Sequence, residues 1–142
     1  MDDLKYTDTY VTARYQETDR MGIIHHSVYP VWYEAARTEL IKSYGYSYSS
    51  LEKKGLMMPL IKLEAEYLLP SYYEDEIIIR SSIKEMTRTR LIVSYEVYRK
   101  GNETILLNRG STAHVFTDKD LRPVNLQKKF PEVYDSLNRC HD

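Results

Sequence analysis

The apolar residues Tyr29, Trp32, Tyr33, Ala36 and Leu40 recur at i, i+3, i+4, i+7 and i+11, which draws one stripe down an α-helix of about four turns. Ser27 stands where an N-cap belongs, Pro30 falls in the first turn, where its missing N–H costs nothing, and Gly45 ends the pattern. A shorter helical piece, Ser49 to Lys54, stops at Gly55, and beyond it the apolar period changes from 3.6 to 2. Ile61, Leu63, Ala65, Tyr67 and Leu69 alternate with Lys62, Glu64 and Glu66 until Pro70, the mark of a half-buried strand. Ile77, Ile79 and Ile83 predict the next strand, Leu91, Val93, Tyr95 and Val97 another, and Ile105, Leu107, Ala113 and Val115 a long fourth. Lys100-Gly101-Asn102-Glu103 joins the last two as a hairpin. Upstream of the helix, Tyr6 to Tyr15 is rich in β-formers and reads as a first strand, and Phe130 to Leu137 predicts a short helix near the end.

The predicted order is a strand, a long helix, and strands in antiparallel succession. An α+β fold follows, in which a curved antiparallel sheet of about five strands wraps around one long central helix. Residues 1–142 show no repeat, low-complexity tract or linker, so they read as one domain. An unpaired edge on such a sheet invites pairing with another copy of the chain.

Composition narrows the partners. The chain of 142 residues is 42% hydrophobic and 29% charged, as expected of a globular protein. With 20 Lys and Arg against 21 Asp and Glu the formal charge is -1, which offers no global field for nucleic acid or an anionic membrane. No leader or 20-residue apolar span is visible, so a cytoplasmic address and no membrane insertion are expected. The lone Cys140 cannot form an internal disulfide. Fourteen tyrosines against 2 phenylalanines suit half-buried surfaces such as subunit contacts.

The chemistry gathers between Arg14 and Thr38. Glu17-Thr18-Asp19-Arg20-Met21-Gly22 is a polar bend directly before the helix. A carboxylate there has two uses, attack on an acyl carbonyl or deprotonation of water. The helix start near His26 and Ser27 presents unpaired N–H groups at the positive end of its dipole, which suits an oxyanion. Gly22 allows a bend closed to other residues and a close approach of backbone to substrate. Taken alone, Asp19 also fits a turn, His25 and His26 also fit polar groups at a helix start, and Glu34 with Arg37 fits an i, i+3 ion pair. A local basic excess, Arg80, Lys84, Arg88, Arg90, Arg99 and Lys100, offers phosphate-binding forks, with Arg88 and Arg90 flanking a turn. No metal-ligand spacing occurs, and the adjacent His25 and His26 are expected to point their rings to different sides.

With Glu17, Asp19, Gly22, His26, Tyr29, Trp32, Glu34 and Arg37 in this order, the chain resembles the 4-hydroxybenzoyl-CoA thioesterase group of hotdog proteins, including the short-chain acyl-CoA thioesterases associated with the Tol-Pal system. His25 and Val28 depart from the pattern, in slots commonly aromatic and small polar. The resemblance implies hydrolysis of an acyl-CoA, with Asp19 as base or nucleophile and the His26 N–H polarising the carbonyl. It implies Gly22, Tyr29, Arg88 and Arg90 on the substrate side, no metal, and no cofactor beyond the coenzyme A of the substrate itself. It also implies a homodimer or homotetramer, since one hotdog subunit lends residues to its partner's cleft. Two other readings stay open: a hydratase or dehydratase using His26 and Glu34, and a non-catalytic acyl-CoA or acyl-carrier binding module.

Overall fold

The computed structural model describes residues 5–138, so Cys140 lies outside the described part. The β-rich start folds as β1 (Tyr6–Thr12), shorter than expected, because a 3-10 turn, Tyr15–Glu17, ends the extended run. The helical stripe becomes α1 (Val28–Ser43), with Tyr29, Trp32, Tyr33, Ala36, Leu40 and Ile41 buried. Its cap departs from expectation: Ser27 is the N-cap residue but has helical φ and ψ and makes no side-chain cap, its Oγ lying 2.8 Å from His25 Nδ1 instead. Gly45, at φ +98, and Gly55, at φ +89, terminate α1 and α2 (Tyr48–Lys53) with left-handed conformations that a Cβ disfavours.

The strands β2 (Leu60–Tyr67), β3 (Glu76–Met86), β4 (Arg90–Arg99) and β5 (Ile105–Val115) join β1 in one antiparallel sheet of order β1-β3-β4-β5-β2. Simple succession holds only from β3 to β5. β2 crosses over to pair with β5, which makes β1 and β2 the two edges. The chain continues as α3 (Leu126–Lys129) and α4 (Pro131–Asn138), the latter carrying the helix expected there.

α1 packs on β1 and β3. Small residues meet between them, with Ser81 Oγ 3.4 Å from the Ala36 carbonyl oxygen. Ile77, Ile79 and Ile83 on β3 and Leu91, Val93, Tyr95 and Val97 on β4 form the buried face, as the alternation predicts.

Two strands differ from expectation. On β5 a register shift between Val97 and Tyr98 of the partner strand inserts one residue, which moves the inward row from odd to even positions. Asn108, Gly110, Thr112 and His114, rather than Ala113 and Val115, therefore stand opposite Val97, Tyr95, Val93 and Leu91. The resulting core is partly polar. Tyr33 stacks on Tyr95 with ring centroids 4.3 Å apart, and its hydroxyl donates to Asn108 Oδ1. Tyr95 Oη lies 2.6 Å from Thr112 Oγ1, and His114 Nε2 lies 2.9 Å from the same oxygen. On β2 the burial is weaker than expected: Leu60, Ile61, Leu63 and Tyr67 are exposed and Ala65 is only partly buried, on a strand that forms one edge of the sheet.

Candidate active site

The bend before α1 is held by backbone and side-chain hydrogen bonds together. Asp19 N–H donates to Ile23 O at 2.8 Å and Gly22 N–H to Asp19 O at 3.0 Å, closing a tight turn in which Gly22 takes φ +82. A Cβ on Gly22 would meet nothing within 4 Å, so the left-handed dihedral, not crowding, asks for glycine here. Glu17 anchors the turn from below: it is buried, and its Oε1 accepts the Arg14 N–H at 2.8 Å, a structural duty rather than a chemical one.

Asp19 is half-buried. Its Oδ1 accepts the Met21 N–H at 2.8 Å, so the turn role and the orientation of the carboxylate are one arrangement. Oδ2 has no partner among the described residues. The carboxylate lines a cleft of about 350 Å³ with His26, Tyr29 and Tyr67, floored by Ile23, Ile24 and Leu68 to Pro70. Asp19, His26 and Tyr29 thus line one cleft, whereas Gly22, in the same bend, is not part of its wall.

The backbone from Ile24 to Val28 leaves one donor open. Ile24 N–H donates to Ser71 O at 2.8 Å, His25 N–H to Glu17 O at 2.8 Å, Ser27 N–H to His25 Nδ1 at 3.1 Å and Val28 N–H to His25 O at 3.0 Å. Only the His26 N–H has no acceptor among the described residues. An amide left without a partner beside a carboxylate-bearing cleft is a donor available to a ligand. The His26 carbonyl, by contrast, accepts the Tyr67 hydroxyl at 2.8 Å.

Other sequence expectations need correction. The His25 and His26 rings do not diverge; their centroids are 4.1 Å apart at an interplanar angle of 30°, because the turn between them brings both to one side. Glu34 and Arg37 form no ion pair. Arg37 turns inward, donating to Tyr48 Oη and Tyr95 Oη at 3.0 Å each, which leaves Glu34 exposed over a separate recess shared with Tyr48 and Met58. Glu34 and His26 line different recesses, so one chain does not bring together the acid–base pair that a hydratase requires. Arg88 and Arg90 are exposed at the turn between β3 and β4. Arg90 pairs with Val115, whereas Tyr67 pairs with Asn108, opposite Val97, so these arginines lie ~23 Å along the strands from the cleft end of the sheet. One chain does not bring them to Asp19. Arg99 touches the cleft's edge, its Nη1 donating to Pro70 O at 3.1 Å and lying 3.5 Å from Asp75 Oδ2.

Sequence reasoning also missed Tyr67, Leu68, Leu69 and Ser71. Ser71 is fully buried and its Oγ lies 2.7 Å from Tyr29 Oη. Burial raises the pKa of Tyr29 despite this bond, and raises that of Tyr67, so both phenols stay protonated. One signal was available: at Tyr67-Leu68-Leu69 the alternation breaks into consecutive apolar residues, which a plain edge strand does not explain. A larger depression, about 730 Å³, lies on the other face of the sheet around Ser82, Ser94 and Ser111; two of its charges, Arg109 and Glu66, pair with each other, and Arg80 pairs with Asp8 beside it. Among the described residues no group of three or more His, Cys, Asp or Glu is arranged to hold a metal, and no helix is long and apolar enough to cross a membrane.

The five-stranded antiparallel sheet, with a polar bend feeding the start of α1, defines a hotdog-fold protein of the thioesterase class. Residues 13–137 match the thioesterase-like superfamily, and the chain belongs to it. It is 32% identical over 131 residues to a putative acyl-CoA thioesterase, YneP, of Bacillus subtilis, covering 92% of this chain and 94% of that protein. It is 29% identical over 108 residues to the acyl-CoA thioester hydrolase YbgC of Shigella flexneri, covering 76% and 79%. The crystal structure of a DHNA-CoA thioesterase from Staphylococcus aureus superposes with a TM-score of 0.90 at 31% identity, over 96% of this chain and 91% of that one.

Proposed function

We propose that this protein hydrolyses an acyl-CoA thioester to a free acid and coenzyme A, with Asp19 as the catalytic carboxylate and the His26 N–H as the oxyanion donor. Asp19 either attacks the carbonyl carbon or takes a proton from the water that does. In both routes a C–O bond forms, the carbonyl oxygen gains negative charge, and the C–S bond then breaks to release the thiolate, which is protonated as CoA. Water and the thioester are the only reactants, and coenzyme A belongs to the substrate. The observation that carries the reading is the His26 N–H beside a carboxylate Oδ2, both without a partner among the described residues. Losing one such donor costs on the order of 10²–10³ in rate in other acyl-transfer enzymes.

The named relatives support this substrate class, and the resemblance of the segment from Arg14 to Thr38 favours kinship with the short-chain enzymes associated with the Tol-Pal system. We read α1 as the central helix of the hotdog, wrapped by a curved sheet. The working unit is at least a homodimer. β2 is an unpaired edge carrying exposed Leu60, Ile61 and Leu63, an unusual burden for a strand facing water, and self-pairing would cover it. An antiparallel pairing also sets the start of one β2 beside the end of the other, so that residues of a partner subunit approach each cleft. Phosphate contacts from Arg88 and Arg90 would then have to be made across subunits.

The test is Asp19→Asn, whose Oδ1 still accepts the Met21 N–H. Thiol release from acyl-CoA should fall by at least a hundredfold while the thermal midpoint stays within about 2 °C of wild type. Undiminished turnover would remove Asp19 from the mechanism. Binding of acyl-CoA by the wild type without any thiol release would leave a binding module in place of an enzyme.

A further inference from the structure

Tyr67 closes β2 at the mouth of the cleft, and three contacts fix it there. Its hydroxyl donates to the His26 carbonyl at 2.8 Å. Its ring packs edge-on against Tyr29, at a centroid distance of 5.2 Å and 86°, and against His26, at 6.5 Å and 88°. The peptide joining His26 to Ser27 is therefore gripped on both sides, because its N–H, carried by Ser27, donates to His25 Nδ1. The peptide just before it carries the unpaired His26 N–H. A donor serves an oxyanion only when it is already aimed at the position the oxygen will occupy, and a freely rotating neighbour would lose that aim. Partial burial raises the Tyr67 pKa, so the phenol keeps its proton and remains a donor well above neutral pH.

We propose that Tyr67 is a positioning residue for thioester hydrolysis: its hydroxyl clasps the His26 carbonyl and so keeps the adjacent His26 N–H directed at the developing oxyanion. This rests on the thioesterase reading above. The clasp ties a donor on the loop before α1 to the edge strand β2, two segments about 40 residues apart in sequence. It also gives a function to a half-exposed tyrosine at a strand end that core packing does not require.

Tyr67→Phe removes the O–H and keeps both ring contacts. In steady-state thiol-release assays, kcat should fall about five- to tenfold, the range set by one hydrogen bond, with KM changed less than about twofold and the thermal midpoint within about 2 °C. A second measurement reads the oxyanion site directly. Two stable CoA conjugates are compared, a ketone in which CH₂ replaces sulfur and a thioether in which CH₂ replaces the carbonyl. The Phe variant should bind the ketone several-fold more weakly and the thioether as wild type does. Unchanged kcat, or equal weakening of both conjugates, overturns the positioning role. If either result comes with an inactive Asp19→Asn, hydrolysis by Asp19 stands and only the role of Tyr67 falls. An active Asp19→Asn overturns the underlying reading and this inference with it.

Discussion

Replacing Gly110 with alanine tests how the edge strand and the helix are fitted together. Gly110 lies on β5 opposite Ala65 of β2 and Tyr95 of β4. A Cβ built there overlaps the Glu64 carbonyl oxygen of β2 and comes within 2.5 Å of Tyr33 Oη and 2.9 Å of Tyr33 Cε2. No left-handed dihedral is involved at this position, so the demand for glycine is purely one of space. The Tyr33 ring cannot simply swing away, since it is fully buried, stacked on Tyr95 and bonded to Asn108. Nor is the Glu64 oxygen on a flexible side chain. Relief therefore requires β2 to shift outward, at a cost of about 2–3 kcal/mol, the upper part of the usual overpacking range. For a chain of this size that lowers the thermal midpoint by about 6–12 °C. The assay is thermal unfolding followed by circular dichroism at a fixed protein concentration, because association adds to apparent stability. Gly101→Ala is the control, since its Cβ meets only the Glu103 carbonyl oxygen at an ordinary 3.5 Å and should change the midpoint little. A Gly110→Ala midpoint within about 2 °C of wild type would refute the close fit of β2, β5 and α1.

Two other outcomes follow from buried and exposed extremes. His114 is 1% exposed and its pKa is lowered to about 4, chiefly by burial, then by Arg37, against a smaller opposing bond from Met58 O. Between its usual value near 6.5 and about 4 the unfolded chain takes up a proton that the folded chain refuses, so stability falls as pH drops through that window. From pH 7 to 4.5 the loss assignable to His114 is on the order of 2–3 kcal/mol, and urea titrations should show His114→Gln spared that much of the wild-type loss; equal losses in both proteins would exclude it. On the edge strand, Leu63→Lys introduces a charge at a residue 39% exposed, so the monomer should keep its fold while sedimentation velocity shows weakened self-association. An unchanged sedimentation profile would move the subunit contact away from β2.

Much of this molecule is legible in residue order. The stripe from Tyr29 to Leu40 reads directly as a buried helix face because helical periodicity is a local property, and the same holds for the alternation on β3 and β4. Asp19, Gly22 and His26 are singled out by the resemblance, and they lie near one another because the bend and the helix start are neighbours in sequence. The errors have a common form. The β5 bulge displaces the inward row by one residue, and nothing in Ile105 to Val115 announces it, because the insertion answers to the register of β4. The ion pair expected between Glu34 and Arg37 obeys helix geometry but loses to the hydroxyls of Tyr48 and Tyr95, which arrive from other segments.

By itself, then, the sequence determined most of the elements and the place of a carboxylate before the helix, consequences of interactions within about a dozen residues, while the family was legible only as a resemblance. Only the tertiary structure decided that β2 returns to the sheet beside β5, that Tyr67 reaches the His26 carbonyl, that Ser71 meets Tyr29, and that Arg88 and Arg90 stand at the far end from the cleft. Those are pairings between distant segments. They depend on which strand lies next to which and in what register, and alternation along a single strand carries no information about its neighbour.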